Sequence, residues 1–167
     1  MNIIPYEPPM RQAALDLALR AWSSVFPQLK AAVPGFVYGA FYPEEWQKRQ
    51  LSDLGQILDN EPHTVDVAML QGQNGSETPQ LAGWVCTRIH PEDSMGEVYI
   101  LAVDPQFQRR GIGHALMNHS HDRARAAGMT MMMVETGGDP GHAPARHTYE
   151  AAGYQRWPVA RYFKNLQ

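Results

Sequence analysis

One segment of this 167-residue chain limits its folds more than any other: Gly96 to Gly113, GEVYILAVDPQFQRRGIG. Val98 to Val103 form an unbroken apolar run with β-branched and aromatic members, the pattern of a strand covered on both faces. Asp104 and Pro105 stop it. Gly111 and Gly113 then remove side chains where the backbone begins to coil, so that main-chain N–H groups can approach a ligand together. A helix start of this kind attracts anions. Gln108, Arg109 and Arg110 add polar and cationic donors beside those amides, which suits a diphosphate. A helix continuing over His114 to Ala127, ended by Gly128, and a strand over Met129 to Glu135 complete a strand–helix–strand unit. Such a unit implies a parallel or mixed sheet joined by a right-handed crossover.

Spacing excludes two familiar phosphate sites. A P-loop needs Lys-Ser/Thr after its glycines, and His114 and Ala115 follow Gly113. A dinucleotide turn wants its glycines directly after the strand, but a loop from Asp104 to Arg110 intervenes and Leu116 takes the third glycine's place. Taken alone, the glycines also fit a plain helix entry beside solvated arginines.

With these residues in view, the segment resembles the acetyl-coenzyme A signature of the GNAT superfamily of N-acetyltransferases, Gln/Arg-x-x-Gly-x-Gly/Ala, filled by Gln108, Gly111 and Gly113. Leu101-Ala102-Val103-Asp104-Pro105 is similar to the family's cofactor strand and turn. Ala145, Tyr149, Gly153 and Tyr154 are similar to its Ala-x-x-x-Tyr-x-x-x-Gly-Phe/Tyr element. The resemblance runs from about the third strand to the end of the chain. It implies an α/β fold with a mixed, mostly antiparallel central sheet, a splayed parallel strand pair and helices on both faces. It also implies acetyl-CoA as co-substrate, bound by Leu101, Ala102, Val103, Gln108, Arg109, Arg110, Gly111, Ile112, Gly113 and His114.

The chemistry implied is transfer of an acetyl group to a primary amine by direct attack in a ternary complex. Backbone groups of Leu101–Val103 would polarise the thioester in the manner of an oxyanion hole. Tyr149 stands where the family places the acid for the departing thiolate. Glu97 matches a position that often carries a carboxylate and is the expected base, with Glu135 as a second candidate. The chain departs from the family at His142, where Asn often bonds the cofactor seven residues before the Tyr; His142 is the expected donor in its stead. Two other readings stay open here, a cofactor-binding sensor or partner module and an enzyme for a longer acyl-CoA.

Composition narrows the classes. Hydrophobic residues at 44% and charged residues at 19% suit one compact domain of this length. The resemblance divides it into an acceptor side over about 1–75 and a cofactor side over about 81–167. A net charge of -3 argues against general nucleic-acid affinity. No leader pattern and no long apolar run are evident, so the expected setting is cytoplasmic, away from membranes. Cys86 is the single cysteine, in a buried strand setting. His119 and His121 diverge on a helix and no His-Glu-x-x-His occurs, so no metal is expected.

Before the cofactor strand, the pattern predicts a strand over Asn2–Tyr6 and a helix from about Arg11 with Ala14, Leu15, Ala18, Leu19 and Trp22 on its apolar face. A second helix is expected from about Pro43, burying Trp46, Leu51, Leu54 and Ile57. Thr64–Leu70 and Leu81–Ile89 read as a hairpin joined by a mobile polar loop, Gln71–Gln80. The aromatics Trp22, Phe26, Tyr38, Phe41, Tyr42, Trp46, Trp157, Tyr162 and Phe163 are divided between core and an acceptor pocket for a small-molecule amine. A last strand is expected in VARYFKNL, and a homodimer through it or through an aromatic surface is one assembly the pattern allows.

Overall fold

The computed structural model describes residues 1–71 and 79–167. Five strands form one sheet in chain order: β1 (Asn2–Pro5), β2 (Val65–Leu70), β3 (Gln80–His90), β4 (Met95–Val103) and β5 (Met131–Val134). The first three junctions are antiparallel, and β4 and β5 run parallel. The fold expectation therefore holds. The loop expected to be mobile lies mostly in 72–78, outside the described residues.

Each face of the sheet is sealed by different helices. On one face, α1 (Arg11–Trp22) and α4 (Trp46–Asn60) bring Ala14, Leu15, Leu17, Ala18, Leu54, Ile57 and Leu58 onto Val65, Val67, Trp84 and Cys86. On the other, α5 (Ile112–Ala126) sets Ile112 and Leu116 against Ala68, Ala82, Val85 and Val98. The stripes run close to those expected, with shifts of one position. Leu17 is buried in α1 while Leu19 and Trp22 are only partly covered, and Met117 and Ser120 are buried in α5 where Ala127 is exposed. Cys86 is buried beside Thr64, its sulfur 3.2 Å from Oγ1, and burial pushes the thiol's pKa up.

Three boundaries differ from the sequence reading. The region Val25–Tyr42 folds as two short helices, α2 (Val25–Ala32) and α3 (Gly35–Phe41), divided by Pro34. α4 starts at Trp46 rather than Pro43, because Glu45 is still extended. VARYFKNL forms no strand. After α6 (Ala143–Ala151) the chain runs on without regular structure, leaving Trp157, Val159, Tyr162 and Leu166 at least 80% exposed. Pro158 has no N–H to give a ladder. Its far end is tied by Phe163 edge-on to Phe41 at 5.9 Å and by Arg161 to Glu135 at 3.3 Å.

Candidate functional site

β4 and β5 pair only at Met95–Val98 with Met131–Val134. β4 then runs on to Val103, so the two strands part and the β5-side edge of its second half is left without a strand partner. The same point carries a β-bulge. Ile100 pairs with Cys86 and Val98 with Thr87, leaving Tyr99 as the extra residue. The bulge reverses the faces of everything after it. Val98, Leu101 and Val103 pack on the α5 side, whereas Ile100 and Ala102 pack on the α1/α4 side.

The turn that follows is pinned from two directions. Asp104 is buried, takes two hydrogen bonds from Arg20 at 2.6 and 3.0 Å, and accepts the Gln106 N–H at 3.1 Å. Gln108 Nε2 donates to the Val103 carbonyl at 3.1 Å, bracing the loop against the strand. Gly111 caps α5 with φ +80°, a left-handed conformation that glycine takes without strain. The first helical amide with a carbonyl acceptor is that of Ala115, bonded to Gly111. The amides of Ile112, Gly113 and His114 therefore open the helix with no backbone partner among the described residues, and no side chain caps them. A Cβ at Gly111 would meet nothing, and one at Gly113 only the Val103 methyl at 3.7 Å. Neither glycine is demanded by crowding from the protein itself. What they leave is open space over converging N–H groups, flanked by Arg109 and Arg110, which form no ion pair among the described residues. This donor set fits a diphosphate.

On the α4 side of the bulge a cleft of about 390 Å³ is lined by Gln50, Asp53, Ile57, Glu61, Arg88 and Tyr99, among others. Arg88 is gripped by both Glu61 oxygens at 2.8 and 2.9 Å, and its guanidinium carbon lies 3.4 Å from the Tyr99 ring centroid. Burial opposes its charge, but the bonds to Glu61 and Tyr99 prevail and hold its pKa above the ordinary range. Glu97 stands next to the last paired position of the fork, with its Oε2 2.8 Å from His90 Nε2. Glu135, the second base candidate, is exposed and faces Arg161.

Tyr149 lies on α6, largely covered, with no hydrogen-bond partner for its hydroxyl among the described residues. Burial raises its pKa. His142 sits at the start of α6 with Nδ1 2.6 Å from Asp139 Oδ2, and Asp139 also accepts the Gly141 N–H at 3.0 Å. Only Nε2 of His142 is left to meet a ligand. Gly141 itself is fixed by crowding, since a Cβ there would come within 2.8 Å of the Val25 carbonyl on α2. Most of the aromatics expected near an acceptor pocket pack on one another: Phe26 stacks on Trp46 at 4.2 Å and meets Tyr42 edge-on at 5.3 Å, with Tyr38 4.8 Å from Tyr42.

The bulge, the Asp104–Arg20 pair and the His90 contact to Glu97 were not found by sequence reasoning. The last had a signal: a β3–β4 hairpin turning at Pro91–Asp93 sets His90 diagonal to Glu97. Among the described residues no group of three or more His, Cys, Asp or Glu could hold a metal ion, and no helix is long and apolar enough to cross a membrane.

The family model for the acetyltransferase (GNAT) family matches residues 35–154. The chain belongs to the GNAT acetyltransferase family. Among curated GNAT relatives, a mycothiol acetyltransferase of Rhodococcus jostii is 27% identical over 148 residues, 85% of this chain and 47% of the relative. The match thus spans less than half the length of these curated relatives, from 22% to 47%. Solved structures agree on the GNAT fold. An aminoglycoside antibiotic 6'-N-acetyltransferase from Acinetobacter haemolyticus superposes with TM-score 0.62 at 15% identity, over 99% of this chain and 98% of that one. An N-acetylglutamate synthase from Neisseria gonorrhoeae, complexed with coenzyme A and N-acetyl-glutamate, superposes with TM-score 0.56 at 17% identity, over 90% of this chain and 27% of that one.

Proposed function

We propose that this GNAT protein transfers the acetyl group of acetyl-CoA to a primary amine of a small molecule, by direct attack in a ternary complex. The observation that carries this is the fork: β4 outruns its pairing with β5 and leads into a helix whose first amides are unsatisfied. When bound, acetyl-CoA supplies the thioester. Gln108, Arg109, Arg110 and the amides of Gly111, Ile112, Gly113 and His114 hold its diphosphate. The β5-side edge of Leu101–Val103, where the Val103 carbonyl already accepts Gln108, offers its remaining backbone groups to the pantetheine arm and the thioester carbonyl, and His142 Nε2 takes the place of the family's Asn.

Glu97 accepts the proton of the acceptor's ammonium, and Tyr149 gives its phenolic proton to the departing thiolate. The division of labour, acceptor side over about 1–75 and cofactor side over about 81–167, belongs to the same reading, with the cleft between α4 and β4 as the amine's approach. The relatives' names, a mycothiol acetyltransferase and an aminoglycoside acetyltransferase, support a small polar amine as acceptor.

The test is calorimetric titration with acetyl-CoA, then thiol release with glucosamine, kanamycin, spermidine, L-glutamate and an alanyl peptide, with succinyl-CoA as alternative donor. Saturable binding and release above the rate without amine are expected. Binding without amine-dependent release would leave a cofactor-binding module, and no binding would remove the reading altogether.

A further inference from the structure

Arg88 faces Glu97 directly across the β3–β4 ladder, yet it is not the partner of that carboxylate. Its Nε and Nη2 are spent on Glu61, and its plane lies on Tyr99. Glu97 instead meets the diagonal neighbour His90, Nε2 to Oε2 at 2.8 Å, with the carboxylate side chain only 13% exposed and the imidazole 30%. An ionised carboxylate can only accept, so the facing ring nitrogen carries the proton. The other ring nitrogen, Nδ1, lies 3.7 Å from Glu92 Oε1 at the surface.

We infer that His90 is a positioning residue for acetyl transfer. Its Nε2–H holds Oε2 of Glu97 and leaves Oε1 free for the acceptor. The partner matters as much as the grip: a bonded guanidinium would set a permanent charge beside the carboxylate and weaken it as a proton acceptor, whereas an imidazole orients it through a single N–H and carries no permanent charge. In the step served, one N–H bond of the alkylammonium breaks and an O–H bond forms at Glu97 Oε1. The nitrogen keeps the electron pair with which it attacks, and His90 keeps its own proton. The inference rests on the reading of Glu97 as the base.

Its test compares the whole chain with His90→Gln, His90→Leu and Glu97→Gln. Long-range proton–nitrogen NMR of the unliganded protein at neutral pH should find the His90 proton on Nε2, with both ring-nitrogen signals moving in Glu97→Gln. Thiol release is then followed with the panel amine that the wild type uses fastest. His90→Leu should lose tenfold or more in kcat with KM nearly unchanged, and His90→Gln, which keeps an N–H donor at similar reach, should recover most of it. A proton on Nδ1, signals indifferent to Glu97→Gln, or a His90→Leu enzyme as fast as wild type while Glu97→Gln is slow would overturn the inference alone. Full activity in Glu97→Gln, or no amine-dependent release by the wild type, would sink the underlying reading and this one with it.

Discussion

Tyr149 and Tyr154 stand edge to face with ring centroids 6.1 Å apart, and among the described residues only one of the two hydroxyls is engaged. Tyr154 Oη is bonded to His121 Nε2 at 2.8 Å, while Tyr149 Oη has no partner among the described residues. Replacing each by Phe should therefore have opposite signatures. Tyr149→Phe is expected to lower kcat by about 10²–10⁴-fold, the usual worth of a general acid, with acetyl-CoA affinity and melting temperature nearly kept. Tyr154→Phe is expected to cost about 1 kcal/mol of stability through the lost hydrogen bond. Thiol-release kinetics and thermal melts of the pair check both.

Alkaline pH should act on the same two rings. Burial, and then the neighbouring Tyr149, push Tyr154 up to about 12 from an ordinary value of 10, and burial raises Tyr149 as well. Both phenols bind their protons more tightly folded than unfolded. Their contribution to stability is complete below pH 10 and is lost as pH rises from there toward 12. Denaturant titrations from pH 8 to 12 should show this decline, and it should be shallower in Tyr154→Phe. Tyr149 also stays protonated, and so competent as an acid, throughout the neutral range.

Much of the β4–α5 unit was legible because its signals are local. The apolar run of Val98–Val103, the stop at Asp104-Pro105 and the glycines at 111 and 113 lie within one short stretch, and each constrains its own backbone. What escaped depends on partners distant in sequence. Tyr99 is a bulge only by virtue of β3's register, and nothing in VYIL marks the residue after which the faces reverse. Asp104 read as a strand stop, but its buried carboxylate answers Arg20 on α1. The final segment failed differently: VARYFKNL has strand-like residues, and tertiary pairing, not propensity, decides whether they join a sheet.

Gly111 offers a test of the anion site that separates strain from charge. Its φ of +80° makes any L side chain strained, although the space around its Cβ is empty. Gly111→Ala should cost about 1 kcal/mol of stability and weaken acetyl-CoA binding modestly. Gly111→Glu adds a negative charge beside the open amides and should abolish binding in the calorimeter while melting much like the Ala variant. Equal affinities in the two variants would mean that the diphosphate lies elsewhere.

The Arg20–Asp104 pair ties α1 to the end of β4. Asp104 is 3% exposed and Arg20 53%, so the asymmetry predicts which partner matters more. Arg20→Met strands a buried carboxylate with the Gln106 N–H as its remaining bond. It should cost about 1–3 kcal/mol, toward the low end because the guanidinium is solvent-screened. Asp104→Asn keeps an acceptor for that N–H. The double variant should cost less than the two single losses together, and urea denaturation of all four proteins measures the coupling.

Gly83 on β3 lies under the first turns of α5. A Cβ there would lie 2.8 Å from the Ala102 carbonyl, 3.1 Å from Leu116 Cδ1 and 3.3 Å from Ile112 Cγ2. The carbonyl belongs to β4 and cannot swing aside as a side-chain tip can, so β3 and β4 must shift locally, and Leu116 and Ile112 at the start of α5 must give as well. Gly83→Ala is expected to cost about 1–3 kcal/mol by overpacking. Because Ile112 carries the first of the open amides and Leu116 packs one turn further along α5, it should loosen acetyl-CoA binding although residue 83 touches no ligand. Gly39→Ala, inside α3 with nothing within 4 Å of the added methyl, is the matched control. It should gain about 0.5–1 kcal/mol from helix propensity and leave affinity unchanged. If Gly83→Ala were as stable as the control and bound acetyl-CoA equally well, the contact between β3 and the first turn of α5 would not be what fixes the cradle.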